Sequence, residues 1–85
     1  MDCKIGSIEL SSDFEIKVRK REYVTITIRN ERDLEFLHRR FFRLQNHYLR
    51  CTIKHELLEY SGYMKVCEVS DVPTLDFHVT LSFEI

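Results

Sequence analysis

The chain has little of what marks the specialised protein classes. Two glycines and one proline in 85 residues exclude linker and low-complexity sequence. No apolar run approaches the roughly 18 residues that a membrane-spanning helix needs, so no membrane attachment is expected. The opening Met1-Asp2-Cys3-Lys4-Ile5-Gly6 lacks the apolar stretch of a signal peptide. Three cysteines at irregular spacing do not suit a disulfide framework, and they fit reduced thiols in the cytoplasm. There is no nucleophile–base pair, glycine-rich phosphate loop or paired-cysteine motif. These absences point away from an enzyme, and no cofactor is expected.

What is present is the composition of a folded chain: 44% hydrophobic and 32% charged. Eighty-five residues hold one core and leave no room for a second, so residues 1–85 are read as a single domain.

Hydrophobic periodicity predicts an α+β domain. Ile5, Ile8 and Leu10 form a loosely patterned opening segment, broken by Ser11-Ser12-Asp13. Phe14, Ile16 and Val18 alternate with charged residues, the period of a half-buried strand. Arg19-Lys20-Arg21-Glu22 suits a hairpin connection, and Tyr23 to Ile28 is wholly β-branched or aromatic. Asn30 reads as a helix N-cap. Beyond it Leu34, Leu37, Phe41, Leu44 and Tyr48 recur at three- and four-residue spacing, which predicts an amphipathic helix over about residues 31–49. Residues 50–60 suit either helix or strand, and Ser61-Gly62 is the strongest turn signal. Strand character resumes over 63–69 and again over 75–85, where alternation is unbroken. The expectation is an antiparallel sheet of five to six strands with one helix packed on one face. The other face must then be polar, fold onto itself or meet a partner.

The net charge of −1 conceals strong segregation. Residues 17–54 carry 11 basic side chains against four acids, or +7, while residues 1–16 carry −3 and residues 55–85 carry −5. At 100° per residue, Arg32, Arg39, Arg43 and Arg50 project together opposite the apolar arc of the predicted helix, with Phe36 beside them. An Arg–aromatic stripe suits an acidic protein surface or a phosphate backbone. The expected function is therefore a non-enzymatic module that occupies a partner protein stoichiometrically, as an inhibitor, adaptor or immunity-type factor. Arg32, Phe36, Arg39, Arg43 and Arg50 are its expected contacts. An uncovered sheet face offers a second route, through β-pairing or homodimerisation. The alternative is a nucleic-acid-binding domain using the same stripe, against which stands a sequence pI near 6.4.

Two constellations suggest chemistry and are weaker. His47, Cys51 and His55 would line one side of an uninterrupted helix, but a single ion reaches only two of them, and no metal site is expected. Asp13, Glu15 and Lys17 share a strand face, as in some metal-dependent nucleases, but such cores need a further acid and more chain, and mixed charge on a polar strand explains the residues without chemistry.

Overall fold

A computed structural model describes residues 2–10, 14–20, 22–29 and 31–83. The chain runs β1 (Asp2–Ile5), β2 (Ile8–Leu10), β3 (Phe14–Arg19), β4 (Tyr23–Arg29), α1 (Leu34–Arg43), β5 (Tyr48–Lys54), β6 (Glu59–Val69) and β7 (Asp76–Ser82). The strands form one seven-stranded sheet in the order β2-β1-β5-β6-β7-β4-β3, every pairing antiparallel. The α+β class stands, with seven strands in place of five to six. The opening segment is itself a hairpin, turning at Gly6, whose φ of 61° lies in the left-handed region that glycine enters without steric cost.

The edge strands β2 and β3 are consecutive in the chain, with only residues 11–13 between them. Four residue steps reach at most about 14 Å. In a flat seven-stranded sheet the two edges would lie six spacings apart, roughly 29 Å. The sheet must therefore curl, and it encloses its own core. Alternate residues of every strand point inward: Cys3 and Ile5, Ile8 and Leu10, Phe14 and Ile16, Val24, Ile26 and Ile28, Cys51 and Ile53, Met64 and Val66, Phe77, Val79 and Leu81. Phe41 from the helix joins the same buried cluster. The part of the inner face that the one helix leaves uncovered is thus covered by the sheet itself, and the outer face stays largely exposed.

The helix is shorter than its pattern predicts. It begins at Leu34, behind an Asp33 in left-handed conformation (φ 58°) that makes no side-chain cap. Asn30, the expected cap, lies outside the described residues. It ends at Arg43, and Asn46 with φ 70° completes the reversal into β5. Asn is the residue other than glycine that most readily takes this conformation after a helix. The backbone then joins the sheet: Asn46 N–H donates to Val66 O at 2.7 Å, and Val66 N–H to His47 O at 3.0 Å. Strand pairing of Tyr48-Leu49-Arg50-Cys51-Thr52-Ile53 overrides the helical spacing that Leu44 and Tyr48 continue.

Ser61-Gly62 is not a turn. Both residues lie inside β6, with Gly62 opposite Cys51. Gly62 makes room for Tyr60, whose hydroxyl would lie 2.8 Å from a Cβ there. That hydroxyl donates to Tyr63 O at 2.9 Å, and the Tyr60 ring meets Phe83 edge-on at 5.1 Å. The reversal falls instead at Glu56-Leu57. His55 and Leu58 exchange backbone bonds of 2.9 and 3.2 Å across it, and Leu57 N–H donates to His55 Nδ1 at 3.1 Å. The last strand starts at Asp76 rather than Leu75, which is 85% exposed, and is assigned to Ser82; Glu84 and Ile85 lie outside the described residues.

Candidate interaction surfaces

Helix α1 lies against β6 and β7. Its inner side is set by Phe41, fully buried against Phe77 with ring centroids 6.1 Å apart, and by the half-buried Leu34 and Leu37. His38 is buried too, and its Nε2–H donates to the Ser70 carbonyl. Ser70 in turn exchanges bonds with His78, donating its N–H to the His78 carbonyl and accepting the His78 N–H on its hydroxyl, both at 2.9 Å. These contacts tie the connection between β6 and β7 to the helix.

The outer side of α1 carries Phe36, Arg39, Phe42 and Arg43, all exposed, with Phe36 at 55%. His38, Arg39, Phe42, Arg43 and Asp71 line a hollow of about 330 Å³. Its apolar wall is the Phe42 ring, 5.6 Å from the His38 ring. The loop that contributes Asp71 also carries the exposed Val72 and Leu75. Arg43 also borders a second hollow of about 220 Å³, lined by Gly6, Ser7, Arg40, Leu44 and Leu49 as well. There Arg40 donates to the Ser7 hydroxyl at 3.0 Å. Arg43 therefore stands as a ridge between two shallow depressions.

Of the five expected contacts, the structure groups Phe36, Arg39 and Arg43 on one helix. Arg32 is exposed in the turn before α1, two residues ahead of its first residue Leu34. Arg50 belongs elsewhere: because the helix stops at Arg43, it falls on the outer face of β5. The continuous four-arginine stripe therefore does not form. Sequence reasoning missed Phe42 and Asp71, which line the hollow, and the exposure of Leu75. The pattern assigned Phe42 to the widened apolar arc, and Leu75 to the core face of the last strand.

Arg50 instead enters a second surface, on the outside of the β5–β6 hairpin. Arg50 pairs directly with Tyr63, and Tyr48 with Lys65. The Arg50 guanidinium sits 5.8 Å from the Tyr63 ring centroid, and Lys65 Nζ sits 5.8 Å from that of Tyr48. The two tyrosines are 50% and 54% exposed. Cations and rings thus alternate on a square, with Thr52 and Ser61 as the next outward pair.

The His47, Cys51 and His55 constellation comes apart. His47 precedes β5, Cys51 points into the core from its middle, and His55 lies in the turn that follows. Over eight residues of extended chain the histidines are separated by roughly 26 Å. Among the described residues no group of three His, Cys, Asp or Glu side chains could hold a metal ion. Glu15 is engaged by Arg29 at 2.7 Å, and Asp13 lies outside the described residues. Cys3, Cys51 and Cys67 are all free thiols. Burial pushes Cys3 up to about 12, with the neighbouring Cys51 adding to the rise. Burial also pushes Cys51 up to about 11, against the opposing effect of a backbone hydrogen bond at Gly6. Neither is poised as a nucleophile.

Comparison with protein-family models, with curated proteins and with solved structures finds no match. No helix among the described residues is long and apolar enough to cross a membrane.

Proposed function

We propose that this chain is a non-enzymatic module that binds another protein stoichiometrically, in the manner of an inhibitor, adaptor or immunity-type factor, through the outer side of α1 and the loop that follows β6. The observation that carries this reading is the exposed Phe42 ring beside Arg39, Arg43 and Asp71 in the lining of one hollow, with the exposed Phe36 on the same helix. Exposed apolar side chains bordered by guanidinium groups have the composition of binding hot spots, where aromatic and arginine anchors contribute most of the energy. The partner then has an apolar side chain that fills the hollow and carboxylates that meet Arg39 and Arg43, with Phe36 and Arg32 nearer the rim. Free thiols suit a reducing cytoplasm as the place where it acts.

The test is capture from nuclease-treated lysate of the source cells, followed by reconstitution with the purified partner and titration calorimetry. A one-to-one complex is expected, weakened at least about 30-fold by Phe42→Ala, the scale of a hot-spot truncation. Arg39→Glu with Arg43→Glu should abolish it. A complex indifferent to both variants sinks this reading. Self-association removed by the same changes would make the partner a second copy of the chain.

A further inference from the structure

We infer that the outer face of the β5–β6 hairpin is a binding site for single-stranded nucleic acid, separate from the helix surface and independent of the reading above. Tyr48 and Tyr63 are half exposed on neighbouring strands and stand diagonally across the pairing. Such diagonal positions lie about 7–8 Å apart, within reach of two successive unstacked bases. Each ring has a cation directly opposite it, Lys65 for Tyr48 and Arg50 for Tyr63, so each stacking platform has a phosphate-binding charge beside it. The square itself contains no acid; Glu59 and Glu68 lie beyond its two ends on β6. In the same row Lys65 is followed by Ser82, Tyr23 and Arg19 on β7, β4 and β3, adding a third exposed tyrosine and another cation along the curl of the sheet.

The charge pattern and the rings together select the ligand. A polyglutamate-like acidic peptide would satisfy Arg50 and Lys65 but offers no aromatic ring to Tyr48 and Tyr63. A duplex offers phosphates but keeps its bases stacked within the helix. Of these three polymers it is the unpaired strand that presents anionic groups and free base faces together. The site is locally basic in a chain whose net charge is −1, so affinity depends on the local field and should be weak and salt-sensitive.

The experiment is fluorescence anisotropy of a labelled oligothymidylate of about 12 nucleotides, within the site sizes of single-strand binders. The full chain is titrated to about 100 µM, the weak end of non-specific affinity. Binding is expected, with a log–log salt slope of about −1.4 for two phosphate contacts, halved by Arg50→Gln. Tyr63→Ala and Tyr48→Ala should each weaken binding roughly 5- to 150-fold, while Arg39→Glu with Arg43→Glu leaves it unchanged. Circular dichroism establishes that each variant is folded; Lys65→Gln serves where a tyrosine variant is not, and it should also halve the salt slope. No anisotropy change with the unmodified chain overturns the inference. So does binding that survives both tyrosine substitutions, or displacement of the oligonucleotide by polyglutamate or duplex as readily as by unlabelled strand.

Discussion

The helix surface and the hairpin surface use the same side-chain types, aromatic rings and arginines, in opposite arrangements. On α1 the helical repeat sets Arg39 and Arg43 one turn apart on the same side, beside Phe36 and Phe42, so charge and apolar area form adjacent bands. On β5 and β6 the strand register sets each cation directly across from a ring, so charge and aromatic face alternate. A banded surface favours a partner with its own apolar anchor and a charged rim. An alternating one favours a polymer that repeats a plane and an anion. The backbone period decides which of these a given set of residues becomes.

The sharpest way to separate the two is to remove what holds the helix down. Phe41 is fully buried between α1 and Phe77. Phe41→Ala should cost about 3–5 kcal/mol, lowering the thermal midpoint by at least about 12 °C for a domain of this size. The helix surface should lose its shape while the β5–β6 ladder keeps its amide protection longest, as hydrogen exchange would show. A midpoint close to that of the unmodified chain would mean that the helix contributes little to the core.

The converse change strikes the hairpin. Gly62→Ala puts a methyl group within 2.8 Å of the Tyr60 hydroxyl and forces that ring away, losing its bond to Tyr63 O and its contact with Phe83. A destabilisation of about 1–2 kcal/mol is expected by urea titration, from one hydrogen bond and one aromatic pair. Helix contacts should be untouched. An unchanged midpoint would show that Tyr60 has another home.

Cys3 and Cys51 lie on the inner face of β1 and β5, so they report on the sheet from within. Their thiols are raised from 9.0 to about 12 and about 11. The folded state therefore holds these protons more tightly than the unfolded one. The resulting stability is intact below pH 9 and is lost as pH rises through 9 toward 11 and 12. Urea midpoints should fall more steeply over that range for the natural chain than for the Cys3→Ala, Cys51→Ala variant. Equal slopes would remove the thiols from the account of alkaline stability.

The smallest effect belongs to a region shared by neither surface. Arg29 meets Glu15 at 2.7 Å and Asp76 at 3.8 Å, all substantially exposed. Arg29→Ala should shift stability by no more than about 1 kcal/mol and leave both binding assays as they were.

Strand alternation made most of the fold legible in the sequence. Tyr23 to Ile28 and the run from Phe77 to Leu81 are where the pattern places them, because one buried face enforces a period of two. The helix was legible as an element but not in its length. Leu44 and Tyr48 satisfy the helical spacing, and only Asn46 marks the stop. Gly62 was misread because a glycine that accommodates a neighbouring ring looks, in sequence, like one that turns the chain. The helix surface was half legible: Phe36, Arg39 and Arg43 follow from the wheel, whereas Asp71 reaches the hollow on a loop tied to the helix through Ser70 and His38. The Tyr–cation square was not legible at all, since Tyr48 and Lys65 meet only through the pairing of two strands.

Joining the two sheet edges through residues 11–13 also governs how the molecule assembles. The hairpins β1–β2, β3–β4 and β5–β6 are local, but β4 must find β7 across a separation such as Tyr23 to Ser82, and β1 must find β5. Because so short a link joins β2 to β3, either docking carries the opposite edge of the sheet toward its place. The slow step is then a single ring closure, governed by the entropy of long loops. Val79→Ala on β7 should slow refolding, whereas Ile53→Ala on the local hairpin should mainly speed unfolding, a division that stopped-flow measurements on the two variants would test.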